Sequence, residues 1–373
     1  MKQNGANGKI RYAVVGLGWI SQEAVLPAFK HAKDNSELAA LVTNDPEKAR
    51  ELGREYKVGE VVSYDGYDSL LRSGAIDAVY IGLPNSMHHE YTVRAARAGV
   101  HVLCEKPMAD TVDECQDMIR VCTEAGVKLM IAYRLHFEPA NLKAIEIVQS
   151  GQIGEPRIFS SVFCQQVQEG NVRLKRGLGG GPLMDMGVYC INAARYLFRA
   201  EPQEVTAFGA TDGEPRFNEV HEMASAVMRF PGDRLAQFTC SFGASSIDTY
   251  HVVGTKGSLR MSPCYEYHDS IEMWVKKDGG ESHQKFSKHD QFGAELLYFS
   301  NCILRNKEPE PDGREGMADV RIVQALLHSM RSGQSVKLPP YEISRRPDES
   351  QKIELSPVKE PEVVGAESPG GKK

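Results

Sequence analysis

Between residues 10 and 132 the chain alternates short apolar runs with longer amphipathic stretches, and this alternation constrains the fold more than any other feature. Parallel strands need crossover connections, so strands that alternate with helices form a parallel sheet covered on both faces. The pattern predicts six strands, the clearest being 10–15, 38–43, 76–83, 101–105 and 128–132. We therefore predict an α/β fold with a doubly wound parallel sheet in the N-terminal part.

After about residue 150 the apolar runs become β-rich and follow one another without intervening helices. Turn signals such as Pro231-Gly232-Asp233 separate them, which is typical of antiparallel meanders. The pattern also predicts three helices, over 182–198, 293–305 and 313–332. This part is therefore predicted to be α+β, with an open and mostly antiparallel sheet.

The domain boundaries follow from these changes in pattern. The last residues are rich in charge, Pro and Gly and contain few aromatic side chains, which predicts a disordered tail. We predict four segments: a short N-terminal extension (1–9), an α/β domain (10–150), an α+β domain (151–341) and the tail (342–373).

Composition excludes several classes of protein. The 44 Lys plus Arg and 50 Asp plus Glu give a net charge of −6, which argues against nucleic-acid and anionic-membrane partners. No apolar run approaches the ~18 residues of a membrane span, and no signal peptide is visible. The eight cysteines lack a CxxC pair or framework spacing, which indicates reduced thiols and no metal site. We expect a cytoplasmic protein.

The segment GLGWIS, residues 16–21, stands between the first strand and the first helix, where Rossmann domains bind a dinucleotide. Gly16 permits a tight turn, and Gly18 lets the backbone approach a pyrophosphate at the helix N-terminus. Ser21 replaces the usual third glycine and is small enough for close helix packing. An ordinary strand-to-helix turn is the alternative. We predict that the dinucleotide is bound by Gly16, Leu17, Gly18, Trp19 and Ile20.

The end of the second strand is expected to select the cofactor. NAD-binding chains place Asp or Glu there for the ribose 2′-hydroxyl, whereas NADP needs room and a cation for its 2′-phosphate. Here the strand ends at Thr43, and Lys48 lies one helical turn further. Asp45 is acidic, but we expect it to cap the helix that begins at Pro46. Thr43 and Lys48 therefore favour NADP over NAD, although a solvated surface lysine is an equal alternative for Lys48.

Lys106 and Pro107 stand at the carboxyl end of strand 101–105, which is the ligand-binding edge of such a sheet. Buried near a cationic nicotinamide, Lys106 is expected to have a lowered pKa and to share a proton relay. Pro107 restricts the backbone of Lys106 and is compatible with a cis peptide bond. The alternative is a surface lysine before a proline turn.

A glycine run at 179–181 precedes a predicted helix that carries Asp185, Tyr189 and Asn192 on one face. A lysine ammonium near a tyrosine favours the phenolate, so Tyr189 is a candidate proton acceptor. Taken alone, Tyr189 is better explained as a core tyrosine with a hydrogen-bonded hydroxyl. Three basic residues before the glycine run are expected to form a solvated loop rather than to line the pocket: Arg173, Lys175 and Arg176.

Four segments occur in a characteristic order and spacing: GLGWIS, LPNSMHHEYTVRAARAGVHVLCEKP, LMIAYRLHFEP and GGGPLMDMGVYCINAARYLF. Together they resemble the family named for glucose–fructose oxidoreductase, inositol dehydrogenase and rhizopine catabolism (Gfo/Idh/MocA), and the resemblance covers roughly residues 10–339. Many members carry His and Asp where this chain has Tyr189 and Asn192. In this respect, and in its Thr43 and Lys48 pair, the chain is most similar to the branch of glucose–fructose and other aldose oxidoreductases.

The resemblance implies roles for individual residues. Lys106 would be catalytic and close to the nicotinamide, Tyr189 would be the acid/base, and Asp185 would orient substrate hydroxyls. Six further residues are expected around the cofactor: Leu83, Pro84, Asn85, His88, Glu105 and Arg134. The family fold also implies that residues 10–150 form an NADP-binding Rossmann domain and that residues 151–341 form the domain for substrate binding and oligomerisation. The free face of its C-terminal sheet would associate into dimers or tetramers.

The activity implied by the resemblance is NADP-dependent oxidation of a pyranose at its C1 hydroxyl to a lactone. If the reduced cofactor stays bound, a second sugar is reduced in turn. The nearest alternative releases the cofactor at each turnover, as a one-way NADP sugar dehydrogenase or a dicarbonyl-sugar reductase similar to 1,5-anhydrofructose reductase. The others are a non-catalytic NAD(P)-binding sensor, against which Lys106 and Tyr189 argue, and a glycosidase that uses its cofactor transiently.

Overall fold

The computed structural model describes residues 8–371, and the first of its two sheets is wholly parallel. Its elements are, in chain order, β1 Ile10–Val15, α1 Leu26–Ala28, β2 Ser36–Val42, α2 Pro46–Glu55, β3 Glu60–Val62, α3 Tyr67–Ser73, β4 Ala78–Ile81, α4 His88–Arg97, β5 His101–Glu105, α5 Val112–Ala125 and β6 Leu129–Ala132. The strands pair in the order β3-β2-β1-β4-β5-β6. The predicted doubly wound Rossmann sheet is therefore confirmed.

Capping side chains determine where the helices of this domain begin. Asp45 accepts hydrogen bonds from the backbone N–H groups of Glu47 and Lys48, at 2.9 and 3.2 Å, as predicted for the start of α2. Thr111 and Glu114 form a reciprocal capping box at the start of α5. Because all six strands are parallel, the loops that follow them face the same edge of the sheet, where ligands bind.

The second sheet has nine strands and is antiparallel except for one pair. The remaining elements are α6 Pro139–Gln149, β7 Pro156–Cys164, α7 Val188–Phe198, β8 Glu204–Ala210, β9 Met223–Phe230, β10 Arg234–Ser241, β11 Ile247–Gly254, β12 Gly257–Met261, β13 Ile271–Lys277, β14 Gly280–Phe286, α8 Gln291–Leu304, α9 Gly313–Ser332 and β15 Val336–Lys337. The strand order is β14-β13-β12-β11-β7-β10-β9-β8-β15, with β7 and β10 parallel. The mostly antiparallel sheet was predicted, but the β13–β14 hairpin was not, because β14 is polar and exposed.

Helix α8 returns to the first sheet although it follows the second sheet in the chain. Phe292 and Leu296 are buried in the same apolar cluster as Tyr12. The Tyr12 hydroxyl also lies 2.7 Å from Oγ of Ser300. Helix α9 packs against α5 of the first domain and β8 of the second. The boundary near residue 150 therefore separates two segments of chain, but the first domain is completed by residues from the second.

Residues 342–371 follow a defined path over both domains, in contrast to the expected disorder. They contain little regular structure, but Arg346 pairs with Glu201 at 2.7 Å, and the buried Gln351 donates to the carbonyl oxygen of Glu310 at 3.0 Å. Three apolar side chains pack against the cluster beneath α8: Ile353, Leu355 and Val364. The disorder prediction rests on the average composition of the segment, which gives no information about individual side chains that make specific contacts. Residues 1–7 and 372–373, which belong to the predicted extension and tail, lie outside the described residues.

All eight cysteines are buried and unpaired, as the lack of framework spacing predicted. Within residues 8–371, no helix has the length and apolar character required to cross a membrane.

A buried polar network joins α7 to α9. Nδ1 of His136 lies 3.1 Å from Glu310, and its Nε2 lies 2.8 Å from the side-chain oxygen of Asn192. Asn192 in turn donates to Glu315 at 3.1 Å and to Asp319 at 2.9 Å. Asn192 was expected to share a functional face with Asp185 and Tyr189, but its side chain serves helix packing instead.

The His136→Gln substitution tests this network through the pH dependence of stability. Burial alone would lower the pKa of His136, but Glu310, together with Glu315 and Asn192, outweighs burial and raises it. The protonated ring therefore stabilises the fold fully below the unfolded-state pKa of about 6.5, and this stabilisation is lost as the pH rises through the folded-state pKa. In urea denaturation at several pH values, the loss of unfolding free energy caused by His136→Gln should shrink as the pH rises above neutrality.

His101→Gln is the matched control, because burial lowers the pKa of His101 to about 4. A lowered folded-state pKa means that His101 is neutral in the folded protein throughout this range. The loss of unfolding free energy caused by His101→Gln should therefore not change with pH above neutrality. A loss caused by His136→Gln that is the same at every pH would contradict the assigned protonation.

Candidate active site between the two domains

The loop after β1 forms one wall of a cleft between the two sheets. Gly16 has a φ of +88°, and a Cβ atom there would lie 2.8 Å from the carbonyl oxygen of Gly82, so the turn requires glycine. A Cβ atom on Gly18 would meet no protein atom within 4 Å, so the backbone there is open to the cleft. Ser21 is buried and closes the turn by donating to the Gly16 carbonyl at 2.7 Å. All five residues predicted in this loop line the cleft: Gly16, Leu17, Gly18, Trp19 and Ile20.

The end of β2 presents a hydroxyl and an ammonium to the same cleft. Thr43 and Lys48 both line it. The carboxylate of Asp45 is engaged by the N-terminus of α2, and its Oδ2 lies 3.8 Å from Nζ of Lys48. A helix N-terminus, a hydroxyl and a cation together form a suitable site for a phosphate group. This arrangement fits the 2′-phosphate of NADP.

The loops after β4 and β5 form the next wall. Four predicted residues line the cleft there: Leu83, Pro84, Asn85 and Glu105. The Asn85 amide donates to the carbonyl oxygen of Gly179 at 2.7 Å and so links this loop to the second domain. Glu105 accepts a hydrogen bond from the Tyr80 hydroxyl at 2.5 Å. These contacts fix the loop backbones on which a dinucleotide would lie.

His88 is the one predicted cofactor residue that does not line the cleft. Its ring is fully buried and lies between the carbonyl oxygens of Leu83 and Pro107, at 2.9 Å from each. Burial lowers the pKa of His88. The histidine therefore supports the two loops from behind, and any effect on the cofactor is indirect.

Lys106 and Asp185 meet across the domain boundary. Nζ of Lys106 lies 3.0 Å from Oδ1 of Asp185 and donates to its backbone carbonyl at the same distance. The Lys106–Pro107 peptide bond is cis. Asp185 lies in a single turn of π-helix, Leu183–Gly187, that precedes α7, a distortion often found at functional sites. Burial alone would lower the pKa of Lys106, but Asp185, Tyr189 and Glu105 together outweigh burial and raise it. The expected lowered pKa applies to Lys106 beside a cationic nicotinamide and stays a prediction, whereas the neighbouring protein groups by themselves raise the pKa.

Arg173 is the third member of this group. Its Nε lies 2.7 Å from Oδ2 of Asp185. Burial alone would raise the pKa of Asp185, but Arg173 and Lys106 hold it well below its ordinary value. The basic loop was expected to be solvated, and this is correct for Lys175 and Arg176. Lys175 pairs with Glu219 at 2.9 Å on the surface, and the backbone N–H of Arg176 donates to the same carboxylate. The same expectation was wrong for Arg173, which lines the cleft. Nothing in the sequence distinguishes the three basic residues.

Tyr189 stands between two cationic side chains. Nζ of Lys106 lies 4.7 Å from the centre of its ring, and the guanidinium of Arg134 lies 5.2 Å from it. The Tyr189 hydroxyl accepts a hydrogen bond from Arg134 at 3.3 Å. Arg134 is buried, and it also donates to the Tyr265 carbonyl and to the side chain of Gln291. Lys106 thus faces the ring, and Arg134 contacts the oxygen.

Aromatic residues from the loop between β12 and β13 and from the first turn of α8 complete the cleft, and the sequence pattern gave no sign of them. Tyr267 and Phe292 lie 5.0 and 5.9 Å from the guanidinium of Arg134. Tyr265 packs against Tyr189 with ring centres 5.8 Å apart, and its backbone N–H donates to Asp248 at 3.0 Å. The loop between β12 and β13 has no periodic pattern, so only the folded chain brings these side chains to the site.

The cleft has a volume of about 1630 Å³, larger than the ~300–1,000 Å³ that holds one drug-sized ligand. The loop after β1 and the Thr43–Lys48 pair line one part of it, and Lys106, Asp185 and Tyr189 line another. The open backbone at Gly18 and the cation at β2 fit a dinucleotide with a 2′-phosphate. The remaining volume provides for a second, smaller molecule.

These features define a nicotinamide-dinucleotide oxidoreductase of the Rossmann type. The family model for an oxidoreductase family with an NAD-binding Rossmann fold matches residues 10–133, and the model for the GFO/IDH/MocA C-terminal domain matches residues 141–260. The chain belongs to the GFO/IDH/MocA family of oxidoreductases. The resemblance predicted from the four sequence motifs is therefore confirmed, as is the dependence on a nicotinamide dinucleotide.

Individual relatives are similar along most of the chain. The D-xylose 1-dehydrogenase [NADP(+)] of Haloarcula marismortui is 32% identical over 344 residues, which cover 90% of this chain and 95% of that protein. The crystal structure of aldose-aldose oxidoreductase from Caulobacter crescentus, complexed with glycerol, is 38% identical with a TM-score of 0.85 and covers 88% of this chain and 100% of that one. The 3-ketoreductase KijD10 from Actinomadura kijaniata, in complex with NADP and TDP-benzene, is 26% identical with a TM-score of 0.79, covering 86% and 98%.

Replacing Lys48 with Ala should separate the affinities for NADP and NAD. A charge-assisted contact to the 2′-phosphate is worth ~1.5–3 kcal/mol, so the Kd for NADPH should rise at least about tenfold. The Kd for NADH should change little, since NADH carries no 2′-phosphate. Fluorescence titration measures both constants, and Lys30→Ala provides an exposed lysine of the same domain as a control. An equal loss for both cofactors would contradict the assignment of Lys48.

Proposed function

We propose that this chain is an NADP-dependent sugar oxidoreductase that oxidises the C1 hydroxyl of a pyranose aldose to a lactone and then reduces a second sugar. The observation that carries the proposal is the Tyr189 hydroxyl held by Arg134, with the Lys106–Asp185 pair beside it and the dinucleotide subsite in the same cleft. The names of two relatives, D-xylose 1-dehydrogenase and aldose-aldose oxidoreductase, support an aldose as the substrate.

Tyr189 is the proton acceptor in this mechanism. NADP, when bound, supplies the hydride acceptor. Oxidation at C1 removes a hydride from carbon and a proton from oxygen, and Tyr189 takes the proton. Tyr189 must be a phenolate to accept this proton, and Arg134 stabilises that phenolate through its hydrogen bond to the oxygen; proton transfer then leaves the neutral phenol. Lys106, whose raised pKa keeps it an ammonium, adds a second positive charge next to the ring.

Asp185 orients the sugar and does not titrate near neutral pH. Each of its carboxylate oxygens contacts one cation, Lys106 or Arg173, and the remaining lone pairs can accept sugar hydroxyl groups. In the second half-reaction Tyr189 returns its proton to the carbonyl oxygen of the acceptor sugar, while the hydride goes to the carbonyl carbon. The two half-reactions therefore balance in atoms and charge, and they leave the cofactor as it began.

An assay with two sugars and no added cofactor tests this function. Purified protein is incubated with one aldose as donor and a second as acceptor, and the products are separated by chromatography. We expect aldonate, from hydrolysis of the lactone, and alditol in equal amounts. Alditol formation that requires a continuous supply of NADPH, or NADPH accumulation without alditol, would favour the one-way enzymes. No oxidation or reduction of any aldose or dicarbonyl sugar, with NADP or NAD, would contradict the proposal.

Substitution of Tyr189 and Lys106 locates the chemistry. Tyr189→Phe keeps the ring and removes the proton acceptor, so kcat should fall by roughly 10²–10⁴ while KM for the sugar changes little. Lys106→Ala should also lower kcat, because the phenolate loses a neighbouring positive charge. Tyr341→Phe is the matched control, since its hydroxyl contacts only the Arg314 carbonyl on the exposed surface. Full turnover in either site variant would contradict the assigned roles.

We also propose that two copies of the chain associate through the outer face of the second sheet. This face carries exposed apolar side chains on neighbouring strands, including Phe208 at 76% exposure, Val227, Leu235 and Ile158. Ser and Thr side chains lie among them, and the charged Arg229 and Glu204 on the same strands pair with each other at 3.5 Å. An apolar face whose charges are paired suits self-association, because a two-fold contact places like side chains near each other.

Phe208→Asp should disrupt this association by placing two carboxylates in the shared face. Sedimentation velocity over a range of concentrations should show dimers or larger assemblies of the wild-type chain and monomers of the variant. Ser332→Asp, at an exposed position on α9, is the control for added charge. A wild-type chain that stays monomeric at all concentrations would contradict the proposal.

A further inference from the structure

The last described residues of the chain, 360–371, run along the mouth of the cleft. Most of them line the same cleft as the loop after β1 and the Lys106–Tyr189 site. They form no helix or strand. Upstream, the backbone N–H of Ile353 donates to the Phe137 carbonyl at 3.3 Å, and the Leu355 carbonyl accepts from Asp290 at 3.2 Å. The segment is therefore preceded by a stretch of chain that is held in place beside Phe137 and the residue before α8.

The segment is joined to the dinucleotide-binding domain by paired hydrogen bonds. The side chain of Gln22 donates to the Val364 carbonyl at 2.9 Å and accepts from the Val364 N–H at 2.7 Å. The same amide donates to the Leu17 carbonyl at 2.9 Å, within the loop that contacts the dinucleotide. A Cβ atom built on Gly365 would lie 3.3 Å from Cε of Lys48, so the segment passes directly beside the expected 2′-phosphate subsite.

The other end of the segment is joined to the second domain. The backbone N–H of Gln168 donates to the Pro369 carbonyl at 2.9 Å, and its side chain donates to the Gly370 carbonyl at 3.2 Å. Between the two domains, Glu360 pairs with Lys288 at 3.4 Å. Residues 360–371 thus cross the cleft from one domain to the other.

We propose that residues 360–371 form a strap that closes the cleft over NADP(H) and slows its release between half-reactions. The proposal rests on the proposed function, because only a reaction that regenerates the cofactor benefits from retaining it. With the strap in place the cleft still has a volume of about 1630 Å³, so the strap borders the cavity and does not fill it. In this proposal the bonds at Val364 or Pro369 open before the dinucleotide leaves. Removal of the strap should therefore accelerate release.

A chain that ends at Lys359 tests the strap through the dissociation rate of NADPH. Protein loaded with NADPH is mixed with excess NADP⁺, and the loss of bound-NADPH fluorescence gives the rate without any sugar. We expect this rate to be at least about tenfold higher than in the wild-type chain, since the dominant effect of lost contacts is on dissociation. The fraction of purified protein that carries NADP(H) after gel filtration should fall in parallel.

Two further variants keep the test informative. Lys352→Ala alters the same terminal region, but its side chain contacts only Glu349 and Glu354, so the rate of release should not change. Val364→Pro removes the N–H that donates to Gln22 and leaves the chain at full length, so it should also accelerate release. If the shortened chain does not fold, the rate of NADPH release from Val364→Pro tests the strap in its place.

The outcomes separate the strap from the proposed function. Release that is no faster in the shortened chain and in Val364→Pro, or tighter binding of NADPH without the strap, would overturn the strap while leaving sugar oxidation intact. A wild-type chain that binds NADPH but neither oxidises nor reduces any sugar would overturn the proposed function and with it the purpose of the strap. Faster release together with a loss of the two-sugar reaction after dilution supports both.

Discussion

The carboxylate of Asp185 is the interaction on which the rest of the site depends. It lies between Lys106, from the first sheet, and Arg173, from the second domain, and without it two cations would face each other in a largely buried place. Removing one partner from such a group is strongly destabilising, because it leaves an uncompensated charge. The same carboxylate contributes to the raised pKa of Lys106, so in the proposed mechanism Tyr189 and not Lys106 accepts the proton. One carboxylate thus joins the two domains and fixes the charge of the lysine beside Tyr189.

The sequence was most informative where local rules act. The parallel sheet followed from the alternation of strands and helices, and the start of α2 followed from the capping residue Asp45. The turn at Gly16 was predictable because only glycine readily adopts its backbone conformation next to Gly82. Lys106 and Tyr189 were found because motifs place them at the edge of the sheet and at the start of a helix.

The rest of the site could not be predicted because it depends on contacts between distant loops. Arg173 is indistinguishable in sequence from its basic neighbours, and only the fold directs it towards Asp185. Tyr265 comes from a loop without a periodic pattern and Phe292 from the first turn of α8, and both lie against Arg134. The path of residues 360–371 depends on hydrogen bonds from Gln22 and Gln168, which composition does not register.

The position of helix α8 also determines the order in which the molecule can be completed. Tyr12 and Ser300 are in contact although 288 positions separate them, and the first sheet needs α8 to cover one of its apolar faces. During translation the ribosome releases β1 to β6 long before α8 exists. The nascent chain therefore exposes an apolar sheet surface for most of its synthesis, when chaperones act and aggregation competes with folding.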